Sequence, residues 1–307
     1  AYNNPEETPL DKHLFCRSFF PAASIFKVIT AAGAIEKAGM TADTKLRRAG
    51  RNHTLYQYQL APELKRYNLI SLGDAFAYSI NPVFGRLGIY TLEADGVLEY
   101  AQRFGFAAKL PFELPHEAGR VAVADSPFAV AELSSGFNQK TTITPLFGAL
   151  IASAVSHRGA MPIPTLVDSV TEAEEGNTLY RAEQRLWRAP INSETAEELF
   201  GLMKRVVRYG TARKSFNTYI RRSSRFAEIE CGGKTGSVDK DGIGRIDWFV
   251  GFARHRSDPQ QHIAVAAVTA HGAYWTVHSS FLAAEIIREY IRDVQDRSKP
   301  VEVVSSD

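Results

Sequence analysis

Apolar residues recur at helical spacing over residues 24 to about 38, where Ile25, Phe26, Ile29, Ala32 and Ile35 mark one face and Gly39 closes the run. That pattern predicts a helix with a glycine stop. Before it, Pro5, Pro9 and Pro21 punctuate a stretch that reads as loop. Residues 70–106 predict further helices, broken at Asn81-Pro82 and near Gly96. Residues 128–156 are mostly helical in pattern, and Thr144-Pro145 places a proline at a first turn. Another helix is predicted over 193–208, with Asn192-Ser193-Glu194 supplying capping chemistry. After residue 225 the period changes. Residues 226–231, 246–254 and 262–270 are short β-branched and aromatic runs, and Asp239-Lys240-Asp241-Gly242 reads as a hairpin turn. Residues 277–294 predict a closing amphipathic helix, with a frayed tail at Lys299-Pro300. A helical body followed by an antiparallel sheet and a closing helix is an α+β layout, not alternating βαβ units.

Composition narrows the class without naming a function. The chain has 307 residues, enough for one large or two ordinary domains. Apolar residues at 45% and charged residues at 23% exclude a disordered or fibrous chain. Lys plus Arg total 36 against 34 Asp plus Glu, and this net charge of +2 gives no argument for nucleic acid. No apolar run of about 18 residues is present, so no membrane span is expected within the chain. The N-terminus lacks a basic n-region, an apolar h-region and an initiator Met, which suggests a trimmed piece. Two cysteines, Cys16 and Cys231, are too few for a disulfide framework or a zinc site, and leave one bridge open.

Three short segments carry candidate chemistry. In Ser24-Ile25-Phe26-Lys27 the serine and lysine lie three apart on a predicted helix, so the amine reaches the hydroxyl. A serine hydroxyl is a poor nucleophile until a base takes its proton, and a desolvated lysine can be that base. Alone the pattern is weak, expected about once by chance in such a chain. Ser237-Val238-Asp239-Lys240 is a second instance in the predicted hairpin. Ser79-Ile80-Asn81, just before Pro82, sets a hydroxyl and an amide at alternate positions of a turn; Ser215-Phe216-Asn217 is its decoy. Gly232-Gly233-Lys234-Thr235-Gly236-Ser237 follows a predicted strand, and a lysine with two hydroxyls among glycines suits capture of a carboxylate. Its glycine spacing excludes a phosphate-binding loop.

The three segments in this order resemble the signature of penicillin-recognising serine acyl-transferases, the penicillin-binding proteins and serine β-lactamases. Thr144-Pro145-Leu146 leading to Gly159-Ala160-Met161-Pro162 resembles a stretch of cell-wall transpeptidase domains. So do Met203 through Val206-Val207 to Gly210-Thr211-Ala212, and Trp248-Phe249-Val250-Gly251-Phe252 with Ile263-Ala264-Val265. The chain is therefore similar to a class B-like penicillin-binding protein transpeptidase domain. The resemblance implies a D,D-transpeptidase that forms an acyl-enzyme on Ser24 with D-Ala-D-Ala stem peptides of peptidoglycan and is acylated by β-lactams. It assigns Lys27 as general base, and Ser79 and Asn81 to proton relay and the substrate amide. Lys234 keeps the site positive, and Thr235, Gly236 and Ser237 bind substrate, with Thr235 and Ser237 on its terminal carboxylate. The backbone N–H groups of Ser24 and Ser237 form the oxyanion hole. No metal or cofactor is implied.

The implied fold is an antiparallel sheet flanked by helices, with a mostly helical subdomain at about 40–190 inserted before a sheet subdomain at about 200–296. Together with the Ser24 helix these form one domain, 1–296, followed by a tail, 297–307. Strands that the family places upstream of the nucleophile, and an anchor to the inner membrane, are expected to lie outside this chain. The implied location is the cell envelope, with the wall-synthesis machinery as partner. Departures from the family pattern are Pro21-Ala22-Ala23-Ser24 for Pro-Gly-Ser, Ser237 where threonine is commoner, and Gly136-Phe137-Asn138 for Gly-Gln-Gly. The alternatives are a serine β-lactamase, for which no Glu-x-x-x-Asn segment is found, and a non-enzymatic β-lactam sensor. His271 with His278 lacks metal spacing. The span 204–225, with eight Lys/Arg and no acid, reads as a solvated face before an anion-binding one. Cys231 reads as a packed side chain.

Overall fold

The structure is a computed structural model that describes residues 13–122, 124–173, 176–220, 224–258, 261–272 and 274–297. Pro5 and Pro9, and the tail at Lys299-Pro300, lie outside the described residues. A short strand β1 (Phe20–Pro21) leads through a 3-10 turn (Ala23–Phe26) into helix α1 (Lys27–Ala38). Gly39 ends α1 in the left-handed region at φ 59°, as the stop signal requires. Every residue from Lys27 to Ile35 is buried. The helix therefore runs through the interior, its polar Lys27 and Thr30 covered as well as its apolar residues.

Strand β2 (Lys45–Arg48) pairs antiparallel with β3 (Asn68–Ser71), and α2 (Leu72–Ala77), α3 (Asn81–Leu87) and α4 (Glu93–Phe104) follow. Asn81 and Pro82 open α3, so the first predicted break is found. The second falls at a π-turn (Gly88–Leu92) and at Glu93, φ 59°, and not at Gly96, which lies inside α4. Gly96 marks a close approach instead, because a Cβ there would sit 3.2 Å from Lys37 Nζ.

Helices α5 (Pro127–Ser135) and α6 (Pro145–Ser156) flank β4 (Thr142–Ile143), which pairs with β1. Thr144 caps α6 by accepting from the Phe147 N–H at 2.9 Å. Between α6 and α7 (Ser193–Arg208) lie β5 (Met161–Pro162), β6 (Ser169–Thr171), β7 (Thr178–Arg181) and β8 (Leu186–Arg188). They form two ribbons, β5 with β8 and β6 with β7. Helix α7 has the predicted bounds, with Asn192 accepting from the Thr195 N–H at 2.8 Å. Helix α8 (Arg213–Tyr219) follows it.

The main sheet has strands β9 (Ile229–Lys240), β10 (Gly244–His255) and β11 (His262–His271) in the order β11-β10-β9, all antiparallel. Strand β9 continues straight through the glycine-rich segment because β10 fills the space a side chain would take. A Cβ on Gly233 would lie 2.1 Å from the Phe249 ring, and one on Gly232 2.5 Å from Phe252. The closing helix α9 (Ser279–Arg297) extends beyond its predicted end. Helices α6 and α9 pack against β10 and β11, and α7 packs against β9. Trp248, fully buried on β10, donates its indole N–H to the Pro21 carbonyl at 2.8 Å and meets Phe20 edge-on at 5.8 Å. The sheet is thereby fixed against the segment that carries Ser24. One buried cluster runs from Phe20 through α1, α2, α4 and α6 to the sheet and Ile291. The result is the expected α+β fold.

Candidate active site

Ser24 sits in the 3-10 turn and Lys27 opens α1. The Lys27 ammonium donates to Ser24 Oγ at 2.7 Å, to Asn81 Oδ1 at 2.7 Å and to the Ser135 carbonyl at 2.5 Å. Its side chain is wholly buried. Burial first, and then the positive charge of Lys234, hold its pKa well below the ordinary lysine range. Asn81 is fixed at the start of α3, where its N–H donates to the Asn52 carbonyl at 2.7 Å.

Ser79 lies in the turn before α3 with φ 55°. Its hydroxyl accepts from Lys234 Nζ at 3.0 Å, and Lys234 also donates to the Thr235 carbonyl at 2.8 Å. Lys234 is wholly buried, and burial lowers its pKa to about 7. Aromatic faces replace part of the lost hydration of both cations: Lys27 Nζ stands 5.7 Å from the Phe84 ring centre and Lys234 Nζ 5.5 Å from that of Phe76.

Thr235 and Thr211 share a hydroxyl–hydroxyl bond of 2.5 Å. Gly236 lets β9 close on the serine turn, since a Cβ there would lie 3.2 Å from the Ser24 nitrogen. Gly136, φ 67°, abuts the same turn so tightly that a Cβ would come within 1.8 Å of the Ala23 carbonyl. Ser237 donates to Asp247 Oδ1 at 2.9 Å. These groups line a cleft of about 550 Å³, together with Arg245, Trp275 and His278.

The fold thus gathers Ser24, Lys27, Ser79, Asn81, Lys234, Thr235, Gly236 and Ser237 around one cleft. The decoys are dispersed. Ser237 and Lys240 lie on a strand, where residues three apart point to opposite faces. Ser215 lies on α8, its hydroxyl bonded to that of Ser280 at 2.9 Å. Motif reading did not include the Ser135 carbonyl, the Thr211 hydroxyl or Asp247. A carbonyl leaves no trace in sequence, whereas Asp247 does: it is the one acid in the apolar run of β10.

Cys16 and Cys231 are free thiols, and burial pushes Cys231 up to about 12. Among the described residues no group of three His, Cys, Asp or Glu side chains is placed to hold a metal ion. The basic span finds acids elsewhere in the fold: Lys204 with Glu230 at 2.5 Å, Arg205 with Asp43 at 3.3 Å, and Arg225 with Asp296 at 2.7 Å. Arg221 and Arg222 of that span lie outside the described residues.

A sequence model of the penicillin binding protein transpeptidase domain matches residues 1–292. The chain belongs to this family. Among solved structures, the D,D-transpeptidase domain of a peptidoglycan glycosyltransferase from Eggerthella lenta superposes with a TM-score of 0.74 at 25% identity. That match covers 95% of this chain and 69% of that one. PBPA from Mycobacterium tuberculosis gives a TM-score of 0.68 at 24% identity, over 91% of this chain and 61% of its own. The penicillin G acyl-enzyme complex of penicillin-binding protein A from M. tuberculosis gives 0.70 at 23% identity, over 96% and 68%. The M. tuberculosis likenesses show the fold. No curated protein matches the sequence. Among the described residues no helix is long and apolar enough to cross a membrane.

Proposed function

We propose that this penicillin-binding transpeptidase domain is a peptidoglycan D,D-transpeptidase that forms an acyl-enzyme on Ser24. The observation that carries the reading is the three-way anchoring of Lys27. A neutral amine has two N–H bonds and one lone pair. The Asn81 and Ser135 oxygens take the two N–H bonds, so the lone pair faces Ser24 Oγ at 2.7 Å. Burial favours that neutral form. Lys27 then accepts the Ser24 proton as Oγ bonds to the carbonyl carbon of the penultimate D-Ala.

The Ser24 and Ser237 N–H groups would stabilise the oxyanion, at a place where Gly236 brings the two backbones together. Lys234, Thr235 and Ser237 would form the subsite for the substrate's end. Breakage of the C–N bond releases D-Ala, whose amine takes a proton relayed through Ser79, with Lys234 3.0 Å behind it. An amine of a second stem peptide then attacks the ester, forms the cross-link and returns the proton to Ser24. With a β-lactam the leaving nitrogen stays tethered in the opened ring, which keeps the adduct on Ser24. Such a reaction belongs at the extracytoplasmic face of the envelope, beside the wall-synthesis machinery.

The test is incubation with a labelled penicillin, followed by mass spectrometry over hours. A stable adduct on Ser24 is expected, absent from Ser24→Ala, a substitution that removes only the hydroxyl bonded to Lys27. Rapid turnover would instead indicate a β-lactamase. Absence of any adduct would overturn the reading. Cross-linking of a stem-peptide donor and acceptor separates a transpeptidase from a sensor.

A further inference from the structure

Asp247 stands directly opposite Ser237 in the β9–β10 ladder and is only 6% exposed. Both of its carboxylate oxygens are engaged: Oδ1 by the Ser237 hydroxyl at 2.9 Å, Oδ2 by the Ser279 backbone N–H at 2.9 Å. The Ser279 hydroxyl donates to the Asp247 carbonyl at 2.5 Å, so the start of α9 holds this aspartate in place. His278 Nδ1 lies 3.6 Å from Oδ2 at the cleft edge. A carboxylate only accepts, and a serine hydroxyl has one proton. Ser237 therefore gives its proton to Asp247 and turns lone pairs to the cleft, backed by a negative charge. Thr235 differs. Its bond to Thr211 uses one of two hydroxyl protons and leaves the other to point at a ligand.

We infer that Asp247 is a specificity-determining residue that fixes Ser237 as a hydrogen-bond acceptor. The substrate's terminal carboxylate is then held by Thr235 and Lys234, while Ser237 receives an N–H of the acyl donor. The inference rests on the reading of the cleft as an acyl-transfer site, and alters the carboxylate-binding role that the family pattern implies for Ser237.

Asp247→Asn supplies the probe. The Ser279 N–H is a main-chain donor, so the new amide keeps its oxygen there and aims its NH₂ at Ser237. The Ser237 proton is then free for a ligand. Second-order acylation rates are measured with a penicillin free acid and with its methyl ester, for the unmodified protein, Ser237→Ala, Asp247→Asn and the double variant. The readout is the preference for acid over ester.

Ser237→Ala alone is expected to slow acid and ester by the same factor, leaving the preference within about twofold. Asp247→Asn should raise the preference about three- to tenfold, the effect of removing one like charge from a partly solvated site. Adding Ser237→Ala to Asp247→Asn should abolish most of that gain, a coupling between contacting residues. A selective loss of the acid in Ser237→Ala alone would overturn the inference. Normal labelling with additive effects would sink this assignment alone, whereas failure of both ligands to label Ser24 would remove the site reading beneath it.

Discussion

Ala23 and Ser79 both hold positive φ, 47° and 55°, although neither is glycine; Ser79 lines the cleft and Ala23 directly precedes Ser24, which also lines it. A left-handed L-residue costs about 1–2 kcal/mol, and surrounding contacts must impose it. At Ala23 those contacts are Gly136 on its carbonyl and Gly236 against the Ser24 nitrogen. The family pattern has Pro-Gly-Ser before the nucleophile, and this backbone explains the preference for glycine. Ala23→Gly should accordingly stabilise by about 0.5–1 kcal/mol after the entropy cost of a glycine. That corresponds to a rise in Tm of about 1–1.5 °C, read by thermal unfolding; a lower Tm would show that the turn is not strained.

On the proposed mechanism the two lysines set a pH profile. Lys27 must be neutral to take a proton, so acylation should rise as pH climbs through its lowered pKa. Lys234 must be charged to hold a carboxylate, and its pKa of about 7 means that charge is lost above neutrality. Acylation by a free-acid penicillin should therefore fall on the alkaline side of about pH 7. Lys234→Arg should move that limb beyond about pH 10, because a guanidinium stays charged. Stopped-flow acylation across pH checks both limbs. Side chains such as these were legible in sequence because their chemistry fixes their type and spacing. The carbonyls of Ser135 and Asn52 were not, since every residue carries one and only the fold selects which is used.

At the scale of elements, α7 was legible to the residue: its cap, apolar stripe and basic last turn all agree. Strands β6 and β7 were not, because they are exposed throughout and show no alternation. They exist by pairing with each other across a short loop. Strand β9 was cut short in sequence because its glycines argue against a strand, until the Phe249 and Phe252 rings fill the gaps. A different pairing joins α6 to β11. His157 and His262 approach to 4.1 Å between ring centres, and His262 bonds to Ser156 Oγ at 2.9 Å. Burial, then His157, then Arg254 push His262 down to about 4, and burial lowers His157 too.

The unfolded chain takes up a histidine proton near pH 6.5, whereas the folded one resists until about pH 4. Between those values the unfolded state binds more protons, so stability is fully present above about 6.5 and is lost as pH falls toward 4. The fall in Tm from pH 7 to pH 5 should shrink in His262→Gln, which keeps a polar partner for Ser156 and removes the titration. An unchanged slope in calorimetry would place the acid sensitivity elsewhere.

Across the whole molecule, the contacts that build the cleft are long in sequence. Lys27 reaches Ser135 over 108 residues, Lys234 reaches Ser79 over 155, and Trp248 reaches Pro21 over 227. Because one buried cluster joins these segments, unfolding should be a single transition, with tryptophan fluorescence and calorimetry giving the same midpoint. Two separated midpoints would mean that helices and sheet hold together independently. The Trp248–Pro21 bond also has a consequence for the order in which the protein is born. A ribosome adds roughly 5–20 residues per second, so the serine turn leaves the tunnel on the order of ten seconds or more before the tryptophan that anchors it. Throughout that interval α1, whose every residue from Lys27 to Ile35 is destined for the interior, has no sheet to lie against. The nascent chain thus lacks its cleft and is in need of shelter, and both conditions end together when β10 docks.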